Sequence, residues 1–172
     1  GEYGRALVIA EAGVNHNGDL LLAHRLIDAS ADSGADAVKF QTFSASAVVT
    51  GGGATAPYQE AAGSGTSQRS MLERLELPVT AWAELRNHAI DRELLFLSTA
   101  FDRASLELLT DLGVDAVKVP SGELTNVMYL ESHAACGLPI LASTGMANME
   151  EVDAAVSILT ESTAGLALFH CV

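Results

Sequence analysis

The chain contains two lysines, Lys39 and Lys118, and they occupy equivalent positions in two similar apolar segments. The segments Gly34-Ala-Asp-Ala-Val-Lys39 and Gly113-Val-Asp-Ala-Val-Lys118 are identical at five of six positions. A lysine within a buried strand costs several kcal/mol unless an anion or a carboxylate compensates its charge. We therefore favour two cations that bind an anionic ligand. The alternative is that each lysine reaches solvent or pairs with a neighbouring acid.

Further polar side chains follow the predicted strands, at the ends where a barrel gathers its catalytic groups. Two cations with several hydroxyls and glycine-flanked backbone amides predict an anion site suited to a phosphate together with a carboxylate. The carboxylates of this set could cap turns or balance the lysines, but we favour roles in binding substrate hydroxyls or moving protons. The set comprises Glu11, Gln41, Thr99, Ser121, Glu123 and Ser143.

The five histidines show no spacing typical of a metal site. His16 lies in a polar loop, where it could hold the loop by hydrogen bonds or contact substrate. His170 is expected to be a packed, hydrogen-bonded core residue because its predicted strand is apolar. Three others fall on predicted helices and are expected at the surface or at an interface: His24, His88 and His133.

Short apolar runs alternate with amphipathic stretches along the chain, and most runs are apolar throughout, as in strands covered on both faces. Repeated βα units of this size predict a parallel sheet with right-handed crossovers. The predicted strands are Ala6–Ala10, Ala35–Thr42, Leu94–Ser98, Ala116–Val119, Ile140–Ser143 and Leu166–Cys171. The predicted helices cover about 19–33, 79–91, 103–112, 125–136 and 148–161.

Periodic βα units fit either a (β/α)8 barrel or an open doubly wound sheet. No Gly-x-Gly-x-x-Gly follows the first strand, which disfavours a dinucleotide-binding sheet. We therefore predict an α/β TIM barrel that is incomplete in this chain, because six units fall short of eight and a full barrel takes roughly 250 residues. Residues 44–70 are rich in Ala, Gly, Ser and Thr and predict a long functional or mobile loop.

The composition excludes several classes of protein. Asp and Glu number 22 against 9 Lys and Arg, and the formal charge of −13 disfavours nonspecific binding to nucleic acid or to anionic membranes. Hydrophobic residues make up 49%, enough to bury a core. The apolar runs are too short for a membrane span or signal peptide. Two cysteines, Cys136 and Cys171, provide no disulfide framework and suit a reducing cytosol.

Six motifs in order along nearly the whole chain resemble the N-acetylneuraminate (sialic acid) synthase family. They are Ile9-Ala-Glu-Ala-Gly-Val-Asn-His-Asn-Gly18, Val38-Lys-Phe-Gln-Thr-Phe43, Phe96-Leu-Ser-Thr99 with Phe101-Asp102, Lys118-Val-Pro-Ser-Gly-Glu-Leu-Thr-Asn126, Ser143-Thr-Gly-Met-Ala147 and Phe169-His-Cys171. Members of that family condense phosphoenolpyruvate with N-acetylmannosamine or a related 2-acetamido sugar, giving a nonulosonic acid and phosphate. The resemblance thus implies a carbon–carbon bond-forming transferase of carbohydrate biosynthesis.

The resemblance also implies roles for the polar set. Phosphoenolpyruvate would be held by Lys39, Thr99, Lys118, Ser121 and Ser143. The acceptor sugar and the reacting carbons would be faced by Glu11, Gln41 and Glu123. Either glutamate could manage the proton of the water that adds during the reaction, and the sequence leaves open which one does.

A divalent metal, manganese or magnesium, is implied for the complete enzyme, with two histidine ligands on strands beyond residue 172. A C-terminal antifreeze-like domain would complete the site across a homodimer. On this interpretation residues 1–172 are the N-terminal part of the barrel, with no metal ligand, and are inactive alone. One departure concerns the acceptor. Family members carry an asparagine after a Tyr-Gln pair, whereas here Tyr58-Gln59 precedes Glu60-Ala-Ala-Gly-Ser64. This predicts a different acceptor or a lost contact.

Two other functions remain open on the residues alone. A Schiff-base aldolase could use Lys118 or Lys39, because a buried strand lysine can be a nucleophile. The chain could instead be a non-catalytic fragment that a partner chain completes through an exposed sheet edge.

Overall fold

The computed structural model describes residue 4 and residues 6–49, 68–160 and 164–171. The Tyr58-Gln59 departure and most of the predicted long loop lie outside these residues. Within them, six parallel strands form one curled sheet in the order of the chain. The strands are β1 (Ile9–Gly13), β2 (Ala37–Thr42), β3 (Leu95–Ala100), β4 (Ala116–Val119), β5 (Ile140–Ser143) and β6 (Leu166–Phe169). This α/β half-barrel confirms the prediction of an incomplete TIM barrel.

Helices alternate with these strands. They are α1 (Leu20–Asp32), α2 (Ala45–Val48), α3 (Gln68–Glu73), α4 (Val79–Asp91), α5 (Arg103–Leu112), α6 (Val127–Ala134) and α7 (Met149–Leu159), with a 3₁₀ turn at Ser121–Glu123. Polar caps fix several starts: the Asp19 side chain accepts hydrogen bonds from the backbone at the start of α1, and Asn148 and Glu151 form a capping box at α7. None of the helices in the described ranges is long and apolar enough to cross a membrane.

The two faces of the sheet have different partners. The larger apolar core lies between the strands and the helices, with Phe40, Phe96 and Leu109 fully buried. A smaller cluster of Ala37, Leu97 and Ala116 lies on the opposite, concave face. Because residues two apart on a strand share a face, this second cluster forms a floor beneath the polar residues that follow it along each strand.

Several strand boundaries differ from the sequence prediction, and those of β1 and β3 affect site residues. β1 begins three residues later than expected, because Val8 bonds to Asp36 at the entrance to β2 before strand pairing starts. β1 also continues to Gly13, past its predicted end at Ala10, so Glu11 is inside the strand rather than at its end. β3 extends to Ala100, which places Ser98 and Thr99 within the strand.

Two histidine expectations are wrong. His133 is 1% exposed and stacks on Tyr129 at 4.0 Å between ring centroids, so of its two expected positions the surface is wrong. His170 is exposed rather than in the core, since β6 pairs on one side only within the described sheet. His24 and His88 meet between α1 and α4, as an interface position predicted.

Candidate functional site

A cavity of about 380 Å³ opens on the concave face of the sheet. Both lysines contribute to it, as do one predicted carboxylate and one predicted hydroxyl. The lining residues are Leu7, Ile9, Glu11, Lys39, Lys118, Ser143, Phe169, His170 and Cys171. The structure therefore brings the two lysines together as the sequence predicted, because both line the same cavity.

Lys39 is held by two of the predicted site residues. Its residue surface is 8% exposed, and Nζ lies 2.6 Å from Glu11 Oε2. Nζ also donates a long hydrogen bond of 3.4 Å to Thr99 Oγ1. The pairing follows from strand register, since Glu11 lies opposite Lys39 between β1 and β2. Glu11 remains half exposed, so a ligand in the cavity can reach this ion pair.

Lys118 is equally buried but lacks a carboxylate partner among the described residues. Nζ donates a hydrogen bond of 2.7 Å to the Val119 carbonyl oxygen and lies 5.8 Å from the centroid of the Phe169 ring. Burial lowers the pKa of Lys118 to about 8, and the positive charge of Lys39 adds to this effect. The negative charge of an anion entering the cavity would offset both effects. The electrostatics therefore favour an anionic ligand beside Lys118.

Ser143 lies at the end of β5 and faces the sulfur of Cys171. Its hydroxyl hydrogen bond is the largest cause of a lowered pKa for the Cys171 thiol, opposed by desolvation. The backbone N–H groups of Gly145 and Thr144 and the charge of Lys118 act in the same direction as the hydroxyl. Thr144 donates hydrogen bonds from its N–H and its hydroxyl to the Phe169 carbonyl, which joins the end of β5 to the end of β6.

Gln41 lies close to Glu11, around a backbone distortion at Gly13. The register between β1 and β2 shifts between Glu11 and Gly13, and Gly13 has φ of +54°. A Cβ at position 13 would lie 3.2 Å from Glu11 Oε1 and 3.7 Å from Gln41 Nε2. Glycine leaves room here for the two polar side chains, which places Gln41 next to the cavity edge formed by Glu11.

Ser121 and Glu123 lie in the 3₁₀ turn after Pro120, and neither lines the cavity in the described part of the chain. Glu123 Oε2 accepts a hydrogen bond of 2.7 Å from Asn126 Nδ2 at the start of α6. Burial raises the pKa of Tyr129, to which the charge of Glu123 adds, and the Tyr129 hydroxyl donates to the Ala100 carbonyl. Glu123 therefore lies near the ends of β3 and β4, outside the cavity. The roles of Ser121 and Glu123 in binding the substrates stay predictions.

The cavity contains three residues that the sequence analysis did not assign to the site: Phe169, His170 and Cys171. They follow β6 as the predicted site residues follow the earlier strands. Their position after the sixth predicted strand was the signal in the sequence that could have identified these three residues.

His16 is a residue of the loop between β1 and α1, and it is buried there, with 1% of its surface exposed. Nδ1 accepts a hydrogen bond of 3.1 Å from the Gly18 N–H, which places the proton of the neutral ring on Nε2. Burial lowers the pKa of His16. Of its two expected roles, the geometry supports holding the loop.

A metal ion does not fit this cavity as the described residues build it. Across residues 6–49, 68–160 and 164–171, no three His, Cys, Asp or Glu side chains are placed to hold a metal together. Two lysine ammonium groups give the cavity positive charge, which suits an anion.

The sequence model described as the NeuB family matches residues 26–172. The chain belongs to the NeuB family. N,N'-diacetyllegionaminic acid synthase of Campylobacter jejuni is 46% identical over 171 residues, which cover 97% of this chain and 51% of that protein. The enzyme of the same name from Legionella pneumophila is 44% identical, over 95% of this chain and 48% of that protein. The NeuB-family chain thus spans about half the length of these curated relatives.

Solved structures agree with this membership. N-acetylneuraminic acid (sialic acid) synthetase of Leptospira borgpetersenii, in complex with citrate, is 32% identical with a TM-score of 0.83, covering 98% of this chain and 55% of that chain. A truncated 3-deoxy-D-arabino-heptulosonate 7-phosphate synthase of Thermotoga maritima shares only the fold, with 14% identity and a TM-score of 0.63 over 94% of this chain and 50% of that chain.

Proposed function

We propose that the complete protein condenses phosphoenolpyruvate with a 2-acetamido sugar, giving a nonulosonic acid and phosphate. The observation that carries this proposal is that Lys39 and Lys118, the only lysines of the chain, are both more than nine-tenths buried and line one cavity. Phosphoenolpyruvate carries a phosphate and a carboxylate on three carbons. Its two anionic groups match two ammonium groups within one small site.

The lysines would divide the donor between them. Lys118 has no carboxylate partner among the described residues, so it gains most from an anion. Lys39 already shares its charge with Glu11 and touches the Thr99 hydroxyl. Ser143 lines the same cavity and could donate to either anionic group. We propose that Ser121 reaches the donor from the end of β4.

The reaction needs an acid or base beside the donor. The alkene carbon attacks the aldehyde carbon of the open-chain sugar and forms the new carbon–carbon bond while the π bond of the aldehyde breaks and its oxygen takes up a proton, leaving an oxocarbenium-like centre. Water adds there and loses a proton, and the tetrahedral intermediate expels phosphate. Glu11 is supported for the proton transfer, because it lines the cavity and remains half exposed. Glu123 would serve the acceptor side with Gln41.

The acceptor is proposed to carry two acetamido groups. The relatives at 46% and 44% identity are both named N,N'-diacetyllegionaminic acid synthase, whereas the human N-acetylneuraminate-9-phosphate synthase is 30% identical over 95% of this chain and 46% of that protein. This order of similarity favours a product with two N-acetyl groups over N-acetylneuraminate. N-acetylmannosamine remains the competing acceptor for the test.

Manganese or magnesium is proposed to act with ligands outside residues 1–172. When bound, such an ion would polarise the sugar aldehyde as a Lewis acid. The cytoplasmic location, the homodimer and the antifreeze-like domain implied by the family resemblance are proposals of the same kind. So is the assignment of residues 1–172 to the N-terminal part of the barrel.

Phosphate release by the complete protein tests the function. We expect turnover with phosphoenolpyruvate, Mn²⁺ and a diacetamido hexose, weaker turnover with N-acetylmannosamine, and none from residues 1–172 alone.

Lys118→Met should weaken phosphoenolpyruvate binding roughly 30-fold or more, because a buried charged partner contributes about 2–5 kcal/mol. Arg103→Met removes an exposed cation and is the matched control. Equal binding by both variants would refute the donor site.

A Schiff-base aldolase is the second candidate, and the lowered pKa of Lys118 is the observation that favours it. Borohydride reduction in the presence of pyruvate separates the two functions. The condensing synthase gives no covalent adduct, whereas an adduct on Lys118 or Lys39 would establish the aldolase. The third candidate is a non-catalytic fragment that a partner chain completes. Sedimentation measures association of the chain, and a titration measures phosphoenolpyruvate binding. Binding of phosphoenolpyruvate only after a partner chain associates would indicate such a fragment.

A further inference from the structure

We infer that Asp102 is a positioning residue for the acceptor side of the site, because its carboxylate connects the end of β2 to the end of β3 and so holds Gln41 in place. The effect on the reaction rests on the proposed function, whereas the connection between the strands does not. Asp102 lies two residues after β3 and is partly exposed.

The carboxylate of Asp102 uses both of its oxygens. Oδ1 accepts a hydrogen bond of 2.9 Å from the Ser105 N–H, which caps α5. Oδ2 accepts one of 2.8 Å from the Ser105 hydroxyl and one of 2.8 Å from the Ser44 N–H. Ser44 follows β2 and is 58 residues from Asp102 along the chain. The bond from Ser44 therefore joins two strand ends and is separate from the cap of α5.

A capping role alone does not account for the second oxygen. Asp19 caps α1, and both of its hydrogen bonds to that helix, from the N–H groups of Leu21 and Leu22, go to Oδ1. Asp102 likewise caps its helix through Oδ1, and Oδ2 is the oxygen that binds Ser44. Of these two helix-capping aspartates, Asp102 is thus the one that also connects two strands.

The bond to Ser44 extends the pairing of β2 with β3 beyond the ends of both strands. Gln41 lies in the paired part of β2, and after it the Phe101 N–H donates to the Thr42 carbonyl at 3.1 Å. The hydrogen bond from Ser44 to Asp102 comes next along the chain, with a side-chain carboxylate in place of a backbone carbonyl. While this bond is formed, the chain after Gln41 cannot separate from β3.

The two strand ends have different further supports. The Tyr129 hydroxyl donates at 2.6 Å to the Ala100 carbonyl, so α6 also holds the end of β3. After β2, the Ala45 N–H bonds to the carboxylate of Glu76, which precedes α4. Loss of the Asp102 carboxylate would therefore leave the end of β3 in place, and the segment after β2 would stay attached to Glu76 but not to β3.

Gln41 is the predicted site residue that this release would move. It lies near the end of β2, close to Glu11. Lys118 is on β4, outside the connected pair of strands, and Lys39 is anchored by its ion pair of 2.6 Å with Glu11. Loss of the Asp102 carboxylate should therefore weaken acceptor binding and leave donor binding unchanged.

Acceptor kinetics and donor binding of the complete protein test this role, with Asp102→Ser compared with Asp19→Ser. Serine caps a helix about as well as aspartate, so both variants should fold, but its single oxygen cannot hold Ser44 as well. In Asp102→Ser the KM of the acceptor that gives turnover, the diacetamido hexose or N-acetylmannosamine, should rise about tenfold or more, because misplacing a substrate-binding group by about 1 Å can lower the rate about 100-fold. The Kd of phosphoenolpyruvate should stay close to the wild-type value.

Two further variants separate the strand connection from the cap. Asp19→Ser should keep the wild-type values of acceptor KM and donor Kd. Asp102→Ala removes the cap of α5 as well, so its Tm should be lower than that of Asp102→Ser while its acceptor KM is the same. An acceptor KM that rises only in Asp102→Ala would assign the effect to the cap and overturn the positioning role.

Hydrogen exchange at the Ser44 N–H tests the strand connection without reference to the function. This amide should exchange about tenfold faster or more in Asp102→Ser than in wild type, because local opening no longer has to break its hydrogen bond. Asp19→Ser should leave the exchange rate of Ser44 unchanged.

The outcomes distinguish this inference from the proposed function. Faster exchange at Ser44 with a wild-type acceptor KM would overturn the positioning role and leave the proposed function intact. Wild-type exchange at Ser44 in Asp102→Ser would overturn the connection itself. Equal weakening of donor and acceptor binding would overturn the assignment to the acceptor side. A wild-type protein that binds no phosphoenolpyruvate would overturn the proposed function and, with it, the effect of Asp102 on the reaction.

Discussion

Glu11 and Lys39 face each other across the first two strands, and their side chains form an ion pair of 2.6 Å on the concave face of the sheet. Lys118, at the same depth of burial, has no such partner among the described residues. The two cations of the cavity are therefore not equivalent. One is neutralised before a ligand arrives, and the other depends on the ligand for its counter-charge.

Glu11→Gln should separate donor binding from chemistry. Loss of the carboxylate frees Lys39 to interact with an anion, so phosphoenolpyruvate should bind as tightly as before or more tightly. Turnover should fall at least 100-fold, because removal of a general acid or base typically costs 10²–10⁴ in rate. Isothermal titration and steady-state kinetics measure the two effects. Weaker donor binding with unchanged kcat would contradict the assignment.

Donor affinity should depend on pH through Lys118. Its pKa of about 8 means that the free protein loses this charge as the pH rises past 8. Phosphoenolpyruvate prefers the charged form, so its binding should be tightest near pH 7 and weaken up to tenfold per unit above pH 8. Below about pH 6 the phosphate of the donor itself takes up a proton, which weakens binding in wild type and in Lys118→Arg alike. Binding titrations in wild type and Lys118→Arg check this, since arginine remains charged over that range. An identical profile in both proteins would assign the titration to another group.

The sequence predicted the lysine pair because each lysine occupies the same place in two nearly identical apolar segments, which is a local property. Lys39 and Lys118 could therefore be assigned to equivalent strand ends without coordinates, and both line the cavity. Glu123 could not be placed this way. A 3₁₀ turn separates it from β4, and its carboxylate bonds to Asn126. Turn geometry of this kind leaves no periodic pattern in the sequence.

The buried state of His133 was missed for a related reason. The helix Val127–Ala134 carries polar residues on more than one side, and its packing in the fold decides which of them are buried. The sequence gives the period of a helix but not the identity of its neighbours. Similarly, the start of β1 depends on Asp36, which is 28 residues from Val8 along the chain.

Gly18→Ala should destabilise the protein more than Gly34→Ala. Both glycines have positive φ, +77° and +78°, so an alanine at either position incurs about 1–2 kcal/mol of backbone strain. A Cβ at Gly18 would also clash with the Arg74 carbonyl oxygen, whereas a Cβ at Gly34 would meet no atom of the residues that the structure describes within 4 Å. The clash should add at least about 1 kcal/mol. Thermal unfolding of the two variants measures the difference, and equal Tm values would contradict the close approach.

Acid should destabilise the fold through the buried histidines. Burial is the main cause of a lowered pKa for His133, although the Tyr129 carbonyl and the Glu123 charge act in the opposite direction. Below the ordinary value of 6.5, the unfolded chain takes up a proton that the folded protein excludes. The free energy of unfolding should therefore fall as the pH drops from 6.5 toward the lower folded-state pKa, by up to about 1.4 kcal/mol per unit for each such group.

His133→Phe isolates this contribution, because phenylalanine keeps a ring against Tyr129 but cannot titrate. Urea unfolding at pH 7.5 and pH 5.5 should show a smaller loss of stability in this variant than in wild type, whatever its stability at pH 7.5. His170→Gln, at an exposed position, should retain the wild-type difference. A His133→Phe protein that lost as much stability between the two pH values as wild type would show that His133 takes up its proton equally in the folded and unfolded states.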